Sequence, residues 1–182
     1  MKKILFATLL VVFIATQVSF AHDPRTVAKD FSHTMTTEGA GKLTLSYKSL
    51  HWNEGAYVAL KKNEVQRNRV VGSLWKNIGK LETEFDVVIS GVKVPKGTYN
   101  FGLWFGDKDD FKIVLVGGGQ DLKLDLTTTG DGALVEWLTF DLRPTDKPDT
   151  FTIEGRGGKF RSSASVQVPY LAEHDHPAEK KN

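Results

Sequence analysis

The stretch from Glu82 to Phe105 constrains the fold more than any other part of the chain. It reads ETEFDVVISGVKVPKGTYNFGLWF, and its apolar and polar residues alternate with the period of two that is typical of strands with one buried face. The alternation stops at Ser90-Gly91 and again at Pro95-Lys96-Gly97, where residue types that favour turns stand. Consecutive antiparallel strands are therefore predicted here.

The parity of the apolar residues predicts a turn or bulge at Ser90-Gly91. The apolar residues from Phe85 to Ile89 occupy odd positions, whereas Val92 and Val94 occupy even ones. Because a shift of one residue turns every side chain of a strand to the opposite face, the strand must be interrupted between them. After the second turn, Trp104 is predicted to face away from four residues that share the other face: Tyr99, Phe101, Leu103 and Phe105.

Further short strands are predicted along the chain, separated by turns rich in glycine and proline. They run from Lys42 to Lys48, Ala56 to Leu60, Phe111 to Val116, Leu122 to Leu126, Ala133 to Leu142, Thr150 to Glu154 and Lys159 to Val168. The charged run from Lys61 to Arg69 is predicted to be a helical turn or a long loop. About nine strands predict an all-β fold, a single antiparallel β-sandwich over residues 42–171, with an open β-barrel as the alternative.

An export signal is predicted over residues 1–21. Lys2 and Lys3 precede an apolar run from Ile4 to Ile14 that is too short to span a bilayer, and Ala21 ends a segment with small residues at the positions a signal peptidase inspects. The mature chain is expected to begin near His22, in the periplasm or outside the cell, without a membrane anchor. A flexible arm is predicted for residues 22–41 and a disordered charged tail for residues 172–182.

Composition argues against several classes of function. The chain contains no cysteine, which excludes disulfide and thiol chemistry. Without Lys2 and Lys3 the 24 basic residues fall to 22, equal to the 22 acidic ones, and the basic residues are scattered. A nucleic-acid partner is therefore not expected, because such a partner requires a basic surface. The sequence implies no cofactor, and it has no G-x-S-x-G motif for nucleophilic catalysis.

Three parts of the chain carry a resemblance to a known family. They are Ile89 to Phe101 (ISGVKVPKGTYNF), Leu43 to Tyr47 (LTLSY), and Phe151 to Ile153 together with Val166 to Pro169. They resemble the central hairpin, the early strand and the final hairpin of a bacterial exported family known as domain of unknown function 2911. Family members usually carry W-R-T-G-A-N-E-A-T before the central hairpin, where this chain departs with WKNIGKLET from Trp75 to Thr83. The resemblance implies an exported β-domain and leaves its activity open.

A copper site at the predicted mature N-terminus is one open alternative. Cleavage after Ala21 would give His22 a free amine beside its imidazole, and both groups suit copper. A second histidine would complete the site, and the candidates are His33, His51, His174 and His176. The acidic segment from Asp107 to Asp110 is predicted to be a turn rather than a calcium loop, because it lacks the glycine and the distal glutamate of an EF-hand.

Tryptophans are the remaining candidates for a binding site. Trp104 and Trp137 lie in predicted strands whose opposite faces are already apolar, so either ring is a candidate platform for a sugar. The alternative is that these rings pack against another layer of the fold. Trp75, Lys76 and Glu82, in the segment that departs from the family pattern, are the other predicted ligand contacts.

The sequence favours a non-enzymatic module that binds a ligand or a protein partner in the bacterial envelope, because no catalytic constellation stands out. A carbohydrate-binding or carbohydrate-active module that uses exposed tryptophans is the first alternative, and a copper-binding protein is the second. The sequence identifies neither the ligand nor the oligomeric state.

Overall fold

A computed structural model describes residues 29–73, 75–106 and 109–169. Within these residues twelve strands form two antiparallel sheets, so the prediction of an all-β sandwich is confirmed. The sheets bury their facing sides against each other. Phe101 of one sheet and Phe140 of the other meet edge to face, with ring centroids 5.0 Å apart.

The first sheet contains six strands. They are β1 (Lys29–Thr37), β2 (Gly41–Ser49), β3 (Gly79–Thr83), β6 (Gly97–Phe105), β7 (Phe111–Gly117) and β8 (Gln120–Asp125). Their order across the sheet is β1-β2-β3-β6-β7-β8. The face that looks into the sandwich carries the alternating residues predicted from sequence, and Tyr99, Phe101, Leu103 and Phe105 are all buried.

The second sheet contains the remaining strands. They are β4 (Val87–Ile89), β5 (Val92–Val94), β9 (Thr127–Thr129), β10 (Val135–Pro144), β11 (Thr150–Gly158) and β12 (Phe160–Gln167). Their order is β10-β11-β12-β4-β5, and β9 also pairs with β12. The Leu138 N–H donates to the Leu50 carbonyl at 2.8 Å, and His51 forms an isolated bridge with Trp137. The chain that follows β2 therefore connects the first sheet to strand β10 of the second.

The predicted turn at Ser90-Gly91 is confirmed. Ile89 pairs with Val92, so Ser90 and Gly91 between them form the whole loop of the β4–β5 hairpin. Their φ angles are +48° and +80°, the left-handed values that a two-residue turn with the twist of a β-hairpin requires. The second predicted turn, Pro95-Lys96-Gly97, has a different role, because it carries the chain from β5 in the second sheet to β6 in the first.

Helix α1 (Glu54–Lys61) stands where a strand was predicted from Ala56 to Leu60, so that prediction is wrong. Asn53 caps the helix, and its Oδ1 accepts a hydrogen bond of 2.9 Å from the Ala56 N–H. Tyr57 and Leu60, three residues apart, are both buried on one side of the helix. A run of five mostly apolar residues is too short for periodicity to distinguish a strand from a helix.

Helix α2 (Glu64–Ser73) follows, where a helical turn or a long loop was predicted from Lys61 to Arg69. The Asn63 Oδ1 accepts a hydrogen bond of 3.0 Å from the Gln66 N–H at the start of the helix. Most of its residues are exposed, so its sequence lacks the apolar stripe that would have predicted a helix. In the described part of the chain neither helix is long and apolar enough to cross a membrane.

In place of the flexible arm predicted for residues 22–41, the structure has strand β1 over residues 29–37. All nine residues of β1 pair in register with β2, from Lys29 opposite Ser49 to Thr37 opposite Gly41. The strand has few apolar residues because it lies at the sheet edge, and this is why the sequence pattern did not reveal it. Residues 22–28 and the predicted tail lie outside the described residues.

A short 3-10 helix, Trp75–Asn77, crosses the outer face of the first sheet. It passes over Gly102 so closely that a Cβ atom there would lie 2.1 Å from the Trp75 carbonyl oxygen. A glycine at this position of β6 therefore allows the crossing and fixes where Lys76 enters the outer face.

Candidate functional site

The structure brings two of the predicted ligand contacts to one surface. Trp104 points outward from β6 and is half-buried, and Lys76 reaches the same outer face from the 3-10 helix above Gly102. The Lys76 Nζ forms an ion pair of 2.5 Å with Asp121 on β8. We call this surface the Trp104 face, and it is defined by Trp104 and by the charged residues Lys76, Asp110, Lys112, Asp121, Lys123 and Asp125.

Trp75 and Glu82 do not join the Trp104 face. The Trp75 ring turns into an aromatic cluster, with its centroid 5.6 Å from that of Phe105 and 6.4 Å from that of Trp52. Glu82 is exposed on the outer side of β3, but it pairs with Thr98, six residues before Trp104 on β6. At the rise of a β-strand this offset is about 20 Å. Glu82 is therefore too far from Trp104 to contact one small ligand with it, and the Trp75 ring packs in the aromatic cluster instead.

Trp137 lies on the second sheet, at the junction between β10 and the chain after β2. Its ring meets the exposed His51 ring edge to face at 5.6 Å, and the Lys29 Nζ lies 5.6 Å from the centroid of its indole. Trp137 therefore contributes to a different surface from Trp104. Its contacts also secure the bridge between the two sheets.

Sequence reasoning did not identify the strand β8 residues of the Trp104 face. The Lys123 Nζ lies 5.0 Å from the centroid of the Trp104 ring. Lys112 lies beside Trp104 on β7 and forms ion pairs with Asp125 on β8 and, at 3.7 Å, with Asp110. Asp121, Lys123 and Asp125 alternate with Leu122 and buried Leu124, so their side chains point outward. Their proximity to Trp104 depends on strand register, which the local pattern does not contain.

Opposite charges on the Trp104 face compensate one another. Three lysines (Lys76, Lys112 and Lys123) stand among three aspartates (Asp110, Asp121 and Asp125). The pKa of Lys112 is raised, first by its hydrogen bond with Asp125 and further by the charge of Asp110, while burial acts in the opposite direction. Lys112 therefore stays protonated at neutral pH. The surface offers ammonium donors and carboxylate acceptors in alternation beside an aromatic ring.

A second polar cluster joins helix α1 to the turn between β6 and β7. The Tyr57 hydroxyl donates to Asp109 Oδ1 at 2.5 Å, and the Lys61 Nζ donates to the same oxygen at 2.7 Å. Buried Arg67 of α2 donates through Nη1 to the Lys61 carbonyl at 3.0 Å. Asp109 has a φ of +57°, a left-handed conformation that aspartate adopts more readily than most residues. We call this group the Tyr57 cluster.

The Tyr57 cluster has perturbed proton affinities. Burial raises the pKa of Tyr57 most, and the hydrogen bond and charge of Asp109 raise it further. For Asp109, burial acts to raise the pKa, but hydrogen bonds from Lys61 and Tyr57 and the charge of Lys61 hold it below its usual value. Tyr57 is therefore a neutral donor and Asp109 an ionised acceptor at neutral pH. The Tyr57 hydroxyl and the Asp109 carboxylate are hydrogen-bonded to each other, which favours a structural role for the pair over a catalytic one.

A cavity of about 20 Å³ lies between the sheets. It is lined mainly by apolar side chains and glycines, among them Trp52, Phe111, Phe140, Gly157 and Phe160. This volume holds about one water molecule and is far below the roughly 300 Å³ of the smallest typical ligand pockets. This cavity is therefore a packing gap, and we place the candidate site on the outer surface.

The structure offers little support for a metal centre in its described part. No group of three or more histidine, aspartate or glutamate residues there could hold a metal ion. His33 lies on β1, stacked on Tyr47 with centroids 6.2 Å apart, whereas His51 lies beside Trp137. His22, on which the copper alternative depends, lies outside the described residues together with His174 and His176.

Comparison of the chain with protein-family models, with curated proteins and with solved structures gave no match. The family resemblance stays a prediction. The chemistry of the Trp104 face is therefore the feature of the molecule that bears on function.

Proposed function

We propose that the chain is a non-enzymatic binding module of the bacterial envelope and that the Trp104 face is its binding surface. One observation carries the proposal: an outward-facing tryptophan lies under the Lys123 ammonium at 5.0 Å, within a network of lysine–aspartate pairs. The opposite side of β6 already supplies the apolar residues that the core needs. Trp104 itself is only partly buried, so the exposed part of its ring can contact a ligand.

The chemistry of the Trp104 face fits a carbohydrate. An indole ring stacks on the apolar face of a pyranose, and its large apolar area supplies most of the contact energy. The neighbouring ammonium and carboxylate groups match sugar hydroxyls, which both donate and accept hydrogen bonds. Because the lysines and aspartates of the face balance, a neutral polysaccharide fits better than a polyanion.

Lys123 must move aside if a sugar is to stack on the ring face that it covers. A cation–π contact at an exposed site is worth about 0.5–1 kcal/mol, which a stacked sugar can replace. The Lys123 ammonium would then donate a hydrogen bond to a hydroxyl of the sugar instead of contacting the indole face. The proposed binding therefore needs only a side-chain rotation on the surface of β8.

Affinity electrophoresis tests this function directly. Native gels that contain dextran, laminarin or xyloglucan are used to compare the migration of three proteins: the wild type, the Trp104→Ala variant and the Trp137→Ala variant. We expect one of these neutral polysaccharides to retard the wild type and Trp137→Ala but not Trp104→Ala. Equal retardation of all three proteins, or retardation by none of a broad panel of neutral polysaccharides, would overturn the proposed site.

The same preparations test the non-enzymatic part of the proposal. We expect no release of reducing ends from the retained polysaccharide, and release that depends on a residue of this chain would contradict the proposal. Export is supported by the sequence of residues 1–21. Mass spectrometry of the secreted chain checks it, with His22 as the expected first residue.

A further inference from the structure

Strand β1 presents a long open edge. All nine of its residues, Lys29–Thr37, pair with β2 on one side, and no other described strand pairs with its outer side. An unpaired strand edge is a template for another strand, because its outward N–H and C=O groups lack backbone partners. The edge of β1 is therefore a candidate interaction surface.

The other sheet edges of the described structure are protected in ways that β1 is not. Strand β8 carries charged side chains at Asp121, Lys123 and Asp125, and β5 and β9 are each only three residues long. Strand β10 is bridged to the chain after β2 and ends at Pro144. Short length, charges and proline are the usual means of preventing edge-to-edge association. Strand β1 is regular, has no proline and has a charge only in its first two residues.

The sequence of β1 complements itself when two copies run antiparallel about His33. In that register Phe31 lies opposite Met35 and Ser32 opposite Thr34, while His33 lies opposite its own copy. Directly opposed residues on antiparallel strands point to the same side of the sheet. Apolar residues therefore meet apolar residues on one side, and hydroxyls meet hydroxyls on the other.

Phe31 has unused apolar surface at this edge. Its ring stacks on Tyr47 with centroids 5.5 Å apart, yet the residue is 36% exposed, which is uncommon for phenylalanine. Met35, its partner in the antiparallel register, is half-buried and packs against the core. Pairing of two β1 strands would cover the exposed parts of Phe31 and Met35 in each copy.

We propose that β1 is the interface of a homodimer in which two copies pair antiparallel about a twofold axis at His33. Such an interface is isologous, because each strand supplies the same residues to its partner, and it closes without leaving a β1 edge free. The first sheets of the two copies then form one continuous sheet. The Trp104 faces begin on β6, three strand positions from β1 in each copy, and remain exposed.

Single cysteines test the register, since the natural chain has none. Opposed residues in an antiparallel pair have Cα atoms about 4.5–5.5 Å apart, within the range of a disulfide. We expect an equimolar mixture of Ser32→Cys and Thr34→Cys full-length chains to form a disulfide-linked dimer on mild oxidation. Each variant alone, and Gln167→Cys on β12 as a collision control, should stay uncrosslinked. Crosslinking of Ser32→Cys alone would overturn this register.

A charge exchange tests the dimer without crosslinking. In the proposed register the double variant Ser32→Lys with Thr34→Lys places lysines opposite lysines twice, whereas Ser32→Asp with Thr34→Lys places aspartate opposite lysine twice. Sedimentation velocity should show a dimer for the wild type and the Asp/Lys variant and a monomer for the Lys/Lys variant. Circular dichroism verifies that both variants fold. A monomeric wild type at high micromolar concentration, or open-ended polymers from pairing of β1 with β8, would overturn the proposal.

Discussion

Tyr57 of helix α1 donates a hydrogen bond of 2.5 Å to Asp109, 52 residues further along the chain in the turn between β6 and β7. Lys61 donates to the same carboxylate oxygen at 2.7 Å. The two bonds join the helical segment to the sheet that carries Trp104. Helix α1 is therefore tied to the turn that follows the strand of Trp104, although the two are remote in sequence.

The substitution Tyr57→Phe is expected to destabilise the fold. It removes a hydrogen bond to an ionised group, and such bonds contribute about 1.5–3 kcal/mol. Urea unfolding followed by tryptophan fluorescence measures the change in the free energy of unfolding. Tyr99→Phe is the matched control, because the Tyr99 hydroxyl donates to a neutral group, the Pro95 carbonyl, at 2.8 Å and its loss should cost about 1 kcal/mol. A smaller effect at Tyr57 than at Tyr99 would contradict the assigned role.

Asp109 should make stability depend on acid pH. Its pKa is held below the ordinary value of 3.8, so the folded state binds a proton less readily than the unfolded state. The stabilisation is complete above pH values near 4 and is lost as the pH falls through the lower folded-state pKa. Asp109→Asn, which keeps a residue suited to positive φ, cannot show this loss. We expect the difference in unfolding free energy between wild type and variant to narrow from pH 7 to pH 2.5; a constant or widening difference would refute this account.

Two glycine substitutions should change stability in opposite directions. At Gly102 an added Cβ would lie 2.1 Å from the Trp75 carbonyl oxygen, so Gly102→Ala must displace the 3-10 helix and should destabilise by about 1–3 kcal/mol. At Gly72 in α2 an added Cβ has no atom within 4 Å, and Gly72→Ala should stabilise by about 0.5 kcal/mol. Thermal unfolding measures both. A neutral Gly102→Ala would show that the 3-10 helix is not seated on this glycine.

The strands were predictable because their signal is local. The parity change at Ser90-Gly91 located the two-residue hairpin loop, and the alternation from Tyr99 to Phe105 gave both the buried side of β6 and the outward direction of Trp104. The helices were not predictable, because α1 has only a short apolar run and α2 is mostly exposed. Strand β1 was missed because its partner, rather than its composition, determines its conformation.

The candidate site was predicted only in part for a similar reason. The sequence named Trp104 and Lys76, which the structure brings to one surface, but also Trp75, Glu82 and Trp137, which lie elsewhere. Lys123 reaches Trp104 through the register of β6, β7 and β8, in which Gly102, Val114 and Lys123 share one row. Register across three strands is a property of the folded sheet, so no local motif could reveal it.

The most direct test of the Trp104 face follows its indole signal in a ¹⁵N-labelled chain. The chain has four tryptophans and therefore four indole N–H signals. The signals of Trp104 and Trp137 are assigned by their loss in the variants Trp104→Phe and Trp137→Phe. The labelled protein is titrated with an oligosaccharide of the neutral polysaccharide that retards it in gels. The proposed function predicts a saturable shift of the Trp104 indole N–H with little change at Trp137. A shift at Trp137 with an unchanged Trp104 signal would contradict it.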